Sequence, residues 1–257
     1  ALNRGETLAI LFAVAELGAI LLPLNWRLSP AELRWQLDNC EASVVLVDAE
    51  HASVPLQRPT LSLEDGPGST PVTGPGSALD DVWMLMYTSG STGRPKGAML
   101  THRQVHWNAV NTTLACGLTE TDATLTFAPM FHTGGMNCLT TPLLHRGGRV
   151  VIVPKLDVGQ ALRLIAAERI THLMGVPTIY QMIADHPDFA ATDLSSVRDA
   201  LCGGAALPQP LLSRYLSRDI PLRQGFGLTE VGPNCFSTPP AEVCLLYTSP
   251  SPRDLTT

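Results

Sequence analysis

Apolar positions recur along this chain with two periods, and their succession predicts an α/β fold. Stretches with apolar residues three and four apart read as helices, and short apolar or β-branched runs between them read as strands. Helices are expected over 6–17, 30–40, 101–116, 136–145, 158–168, 178–185 and 210–216, and strands over 43–48, 82–87, 125–129, 149–153, 172–174, 200–202 and 222–224. A strand-like turn falls at 21–25. Such alternation favours mainly parallel sheets joined by helical crossovers. Two helix starts carry local signatures. Ser29, Pro30 and Glu32 supply an N-cap, a proline at the first helical position and a capping-box acid; Thr101 and Gln104 form a second box. The run at 43–48 has the composition of a central strand. Residues 52–80, rich in Pro, Gly, Ser and Thr, read as a surface connection, with Leu61 the one hint of a strand.

The apolar stretch 8–24 resembles a membrane span only at first sight. Glu16 interrupts it, Pro23 ends it, and it falls short of the ~20 residues a bilayer crossing needs. A buried helix running into a strand is expected there. No basic leader precedes it, so the reading is cytosolic. With 257 residues, 45% of them hydrophobic, the chain can bury a substantial core. A net charge of -6 without any Lys/Arg cluster argues against nucleic acid as a partner. Cys40, Cys116, Cys138, Cys202, Cys235 and Cys244 are scattered, with neither a paired spacing nor a histidine ladder, so no disulfide framework or zinc site is indicated.

The stretch YTSGSTGRPKGAMLTH at 87–102 concentrates glycines, hydroxyls and one lysine between an apolar run and a helical pattern. Gly90, Gly93 and Gly97 let backbone N–H groups turn toward an anion, Thr88, Ser89, Ser91 and Thr92 add hydroxyl donors, and Lys96 adds a point charge. The segment reads as a loop for a nucleotide's phosphates, placed ahead of a helix. A Walker loop requires Ser or Thr after the lysine, but Gly97 follows Lys96; the glycines also miss the dinucleotide fingerprint.

Residues 88–97 match the pattern [ST]-S-G-[ST]-T-G-x-P-K-G at every position, and so resemble the phosphate loop of the adenylate-forming (AMP-binding) superfamily. Three further segments follow in the superfamily's order. PMFHTGG at 129–135 resembles the stretch that walls the carboxylate pocket, with His132 at the wall; CGGAAL at 202–207 resembles the turn lining the adenine and acyl pocket, with Gly203, Gly204 and Ala205. QGFGLTE at 224–230 resembles the [YF]-G-x-T-E motif. There the resemblance implies that Gln224, Gly225, Phe226 and Gly227 line the nucleotide, with Phe226 stacked on adenine. It gives Thr229 to the α-phosphate and Glu230 to Mg2+, roles suited to an apolar ring, a hydroxyl and a hard carboxylate.

The implied fold is two α/β subdomains of a large N-terminal domain, at 1–119 and 120–242. The implied reaction takes ATP and a carboxylic acid to an acyl-adenylate and then to a CoA thioester, with Lys96, Thr229, Glu230 and His132 as its catalytic groups. The segment around His132 offers no acid to pair a substrate ammonium, which favours an apolar, fatty acid over an amino acid. An aryl acid is the alternative, and a nucleotide-binding fragment without turnover is the rival. The chain starts without Met inside such a domain and resembles the family only to about 242, so on its own it is expected to be inactive. The tail 243–257, VCLLYTSPSPRDLTT, resembles read-through of sequencing adapter, and as a foreign segment is expected to pack against nothing.

Overall fold

The structure, a computed structural model, describes residues 1–66, 73–89, 93–239 and 242–243. Helix α1 (Gly5–Glu16) leads to an extended stretch in which Leu21 bridges Met84 in parallel. The expectation of a buried first helix does not hold. Leu11 packs with Met84, Met86 and Leu100, but Phe12 and the following Leu17 and Ile20 are exposed, because nothing among the described residues covers that side.

Helix α2 (Pro30–Asn39) starts at the expected capping box: the Glu32 N–H donates to Ser29 Oγ over 3.3 Å and the Ser29 N–H to the Glu32 carboxylate over 2.8 Å. Strand β1 (Val45–Val47) pairs in parallel with β2 (Thr60–Ser62), and the two form a sheet of their own. The run at 43–48 is therefore not a central strand, and the connection after it contains the strand that Leu61 hinted at. Val45 and Val47 pack on Leu33 and Leu37 of α2, so burial of one face is enough to explain the β-branched composition.

Strands β3 (Val82–Thr88) and β4 (Lys96–Thr101) form an antiparallel hairpin ahead of helix α3 (His102–Cys116). Thr101 and Gln104 cap α3 reciprocally, at 3.2 and 2.9 Å, and Gly117 ends it at φ 60°. Strand β4 was not expected. It is short, but alternates as a strand should, with Ala98 and Leu100 buried between exposed Lys96, Gly97 and Met99.

The remaining elements build one sheet. They are β5 (Ala123–Thr126), α4 (Thr133–Asn137), α5 (Thr140–Arg146), β6 (Arg149–Ile152), α6 (Val158–Ala167), β7 (His172–Gly175), α7 (Pro177–Asp185), β8 (Asp199–Cys202), α8 (Gln209–Leu216), β9 (Leu222–Gly227) and β10 (Asn234–Ser237). Their order is β10-β9-β8-β7-β5-β6, parallel except for β10, which runs antiparallel to β9 and was not expected. The single helix expected at 136–145 is broken into α4 and α5. Pro142 lacks an N–H and its ring would clash with the carbonyl of Cys138, so the turn cannot continue as α-helix.

Helices α6, α7 and α8 cover one face of this sheet, where Leu162, Ile165, Tyr180, Ile183, Leu212 and Tyr215 meet Leu125, Leu173, Ala200 and Leu222. On the opposite face, toward α3 and α5, the strands turn polar side chains inward: Thr124, Thr126, His172, Asp199 and Arg223 are all buried. Arg223 is bidentate to Asp199, with Nε 2.6 Å from Oδ1, and also donates to the Thr238 carbonyl at 2.9 Å. Both partners are satisfied, which is the condition for keeping charges inside. Val243 packs into the large apolar core; residues 244–257 lie outside the described residues. The first residue of the supposed foreign tail thus does not behave as one. Among the described residues no helix is long and apolar enough to cross a membrane.

Candidate functional site

The hairpin sets the position of the candidate phosphate loop. Thr88 faces Lys96 and Tyr87 faces Gly97 across the two strands, and Thr88 Oγ1 donates to the Lys96 carbonyl at 3.4 Å. The turn residues Gly90, Ser91 and Thr92 lie outside the described residues. Ser89 and Gly93 flank them, both exposed, with Gly93 at φ 85°, a value that favours glycine. A side chain at Gly97 would come within 2.9 Å of Leu85 and 3.6 Å of Tyr87, so glycine there lets the cross-strand residues lie close. Lys96 is exposed at the start of β4. The residues between the loop and the helix, expected as further loop, form a strand instead: Lys96 opens β4, and α3 starts only after that strand ends.

Opposite the hairpin, the chain after β9 folds back on itself. The Leu228 N–H donates to the Pro233 carbonyl at 3.1 Å, and at Gly227 a Cβ would sit 1.8 Å from that same oxygen, so only glycine permits the fold. The tip of this return, the short 3-10 turn Thr229–Val231, rests against β4. Gln104 of α3 fixes it by donating from Nε2 to the Glu230 carbonyl at 3.2 Å. Asn108 Oδ1 accepts from the Asn234 N–H at 3.1 Å, and Asn234 Nδ2 donates to Thr112 at 2.8 Å. These supports escaped the sequence reading. The signal for them was there, since Gln104, Asn108 and Thr112 make a polar stripe at helical spacing on a buried face of α3.

The Gly-Gly turn and β9 are also brought together. Gln224 Oε1 accepts from the Leu207 N–H at 2.6 Å, and its Nε2 donates to the carbonyls of Cys202 and Ala205, each at 3.2 Å. Gly204 sits at φ 79° against Val176, and Gly203 lies against the Gly225 carbonyl, 3.7 Å from where a Cβ would stand. Phe226 is 58% exposed, its ring 6.3 Å from that of Phe236 and inclined by 30°. An exposed aromatic face beside a glycine turn can take a planar ring.

His132 stands at the N-cap of α4 with its ring 4.5 Å from that of Phe131. Burial of part of that ring, and then the Arg27 charge, hold its imidazole below the ordinary value. Arg27 itself lies over the rings of Trp26 and Phe131, at 5.0 and 5.6 Å. Buried Asn3 clamps the preceding segment, accepting from the Met130 N–H at 2.8 Å and donating to the Ala128 carbonyl at 2.9 Å. Neither Arg27 nor Asn3 stood out in the sequence. No hydrogen bond or ion pair among the described residues joins His132 to Lys96, Thr229 or Glu230.

A cavity of about 960 Å3 opens elsewhere, between α1, α2, β1 and the outer face of the hairpin, and reaches the candidate site at Tyr87, Gly97, Met130 and Phe131. Its walls are mainly apolar. They offer few groups for a phosphate, so volume alone is a poor guide here, and the convergence of the hairpin with the Thr229–Val231 turn is the better one.

The AMP-binding enzyme family matches residues 1–252. The chain belongs to that family. The match runs past residue 242, where the resemblance was expected to stop. Among curated AMP-binding relatives, the chain is 43% identical over 242 residues to a feruloyl-CoA synthase of Amycolatopsis sp., covering 90% of this chain and 48% of that protein. It is 36% identical to an indoleacetate–CoA ligase of Aromatoleum aromaticum, covering 93% and 51%. The fold matches the N-terminal domain of FACL13 from Mycobacterium tuberculosis, TM-score 0.86 at 26% identity, over 95% of this chain and 65% of that one. It also matches O-succinylbenzoate coenzyme A synthetase (MenE) from Bacillus subtilis in complex with ATP and magnesium ion, TM-score 0.85 at 27% identity, over 94% and 51%. The chain therefore spans about half the length of the curated relatives it matches.

Proposed function

We propose that the protein containing this chain is an acid–thiol ligase that activates an aromatic carboxylic acid with ATP and passes the acyl group to CoA. The observation that supports this reading is the packing of the Thr229–Val231 turn on β4, the strand that Lys96 opens. The curated relatives reported above are named for aromatic acids, and this favours an aryl acid over the fatty acid suggested by the apolar surroundings of His132. In this reading residues 1–119 and 120–242 are its two α/β subdomains.

Each residue takes a role its chemistry allows. A carboxylate oxygen attacks the α-phosphorus of ATP, pyrophosphate leaves, and the CoA sulfur then displaces AMP from the acyl carbon. Charge accumulates in the first step, so positioning and neutralisation dominate. Lys96 and the N–H groups of 88–93 and Gly97 hold the phosphates, and Thr229 donates its hydroxyl to the α-phosphate. Phe226 stacks on adenine beside Gly203, Gly204, Ala205, Gln224, Gly225 and Gly227, and His132 walls the carboxylate. The Glu230 carboxylate is exposed and forms no ion pair among the described residues, which suits it to hold Mg2+. The ion would supply positive charge to the phosphates.

The test is carboxylate-dependent ATP–pyrophosphate exchange in the protein carrying this chain at the full length of its relatives, with ferulate and dodecanoate compared. Exchange with ferulate that falls at least about a hundredfold in Glu230→Ala supports the reading. Exchange with dodecanoate alone would move it to a fatty acid, and no exchange with either would remove the ligase assignment.

A further inference from the structure

Two histidines far apart in sequence meet on a surface that no motif uses. His106 on α3 and His145 on α5 place Nδ1 and Nε2 3.2 Å apart, with ring centroids separated by 5.0 Å and planes inclined by 62°. Both residues are exposed. Two nitrogens bound at ~2.0–2.1 Å to one tetrahedral ion stand about 3.3 Å apart, so the pair already has the separation of two ligands on one metal.

We propose that His106 and His145 form a two-histidine site for a borderline divalent ion, Zn2+, Ni2+ or Cu2+, with water filling the remaining positions. Among the described residues no group of three His, Cys, Asp or Glu could hold a metal, which limits the protein's share to these two nitrogens. The neighbouring cation does not oppose the site, because Arg146 pairs with Glu120 at 3.0 Å. An ion here ties α3 to α5. Because α3 carries Gln104 and Asn108, the same clamp steadies the helix that holds the Thr229–Val231 turn.

The experiment follows thermal unfolding and electron paramagnetic resonance of the chain during Cu2+ and Zn2+ titration, with His106→Ala and His145→Gln as separate variants. Both side chains are exposed, so unfolding temperatures without metal should match the parent. Cu2+ should bind more tightly than Zn2+, raise the unfolding temperature of the parent, and show hyperfine splitting from two nitrogens. Either variant should weaken binding at least about tenfold and leave one nitrogen in the spectrum. Equal affinity in parent and variants would assign the ion to other histidines, such as His51 or His186, and overturn the proposal. A parent that binds neither ion would leave the pair as a plain N–H···N hydrogen bond, and would overturn it equally.

Discussion

Two regions of this molecule obey the same pattern of apolar and polar residues with different results. From β5 to β10, every parallel strand lies in one six-stranded sheet, and helices cover both of its faces. From α1 to β4, comparable apolar runs end in two separate two-stranded sheets, with Phe12, Ile20, Val44, Leu61 and Met99 exposed. Apolar residues state what should be buried; only partners placed by the rest of the fold can bury it. The lesson is that one pattern can serve a closed core and an open face alike.

Several measurements would sharpen or break that contrast. The largest effect is expected at the centre of the closed region. Arg223→Met leaves the Asp199 carboxylate buried without its partner and should cost about 3–5 kcal/mol in denaturant unfolding. A loss below about 1 kcal/mol, the worth of an exposed pair, would mean that water reaches Asp199. Next, Leu222→Ala at a fully buried position should cost about 2–5 kcal/mol, whereas Val44→Ala, 46% exposed, should stay within about 0.5 kcal/mol. Equal losses at the two sites would end the distinction between the regions.

Helix caps test local order in the open region. Ser29→Ala and Thr101→Ala each remove a side-chain acceptor from a capping box and should cost about 1 kcal/mol. Thr101→Ala reaches further, since Gln104 both completes that box and holds the Glu230 carbonyl. Faster amide exchange over 229–231 should accompany it but not Ser29→Ala; identical exchange in the two variants would uncouple cap from turn.

The most gradual effect is that of pH. His102, His132, His145 and His172 are all held below the ordinary imidazole value, chiefly by burial in each case. The unfolded chain therefore binds more protons than the folded one once pH falls below about 6.5, and stability should decline from there until the folded-state values are passed. His172 lies in the closed region, wedged beside Asp122 and the Cys116 carbonyl. His172→Gln should flatten the slope in pH-dependent unfolding; an unchanged slope would place the linkage at His102, His132 or His145.

What was legible in the sequence was local. Helix caps, glycine turns and the alternation of periods depend on residues a few positions apart, so Ser29, Thr101, most helices and the Gly-Gly turn at 203–205 could be read directly. The sheet edges could not. Whether 43–48 is central or peripheral, whether 96–101 is loop or strand, and whether α1 is covered depend on which distant strand supplies hydrogen bonds and side chains. The same holds for Arg223 with Asp199, Gln104 with Glu230, and His106 with His145. Each is a contact between residues separated by many positions. The sequence by itself determined the kinds of element and the groups available for phosphate chemistry, because backbone propensity and capping are short-range. The tertiary structure alone decided which of those groups meet, because pairing of polar side chains across a core is set by the register and order of strands rather than by neighbours along the chain.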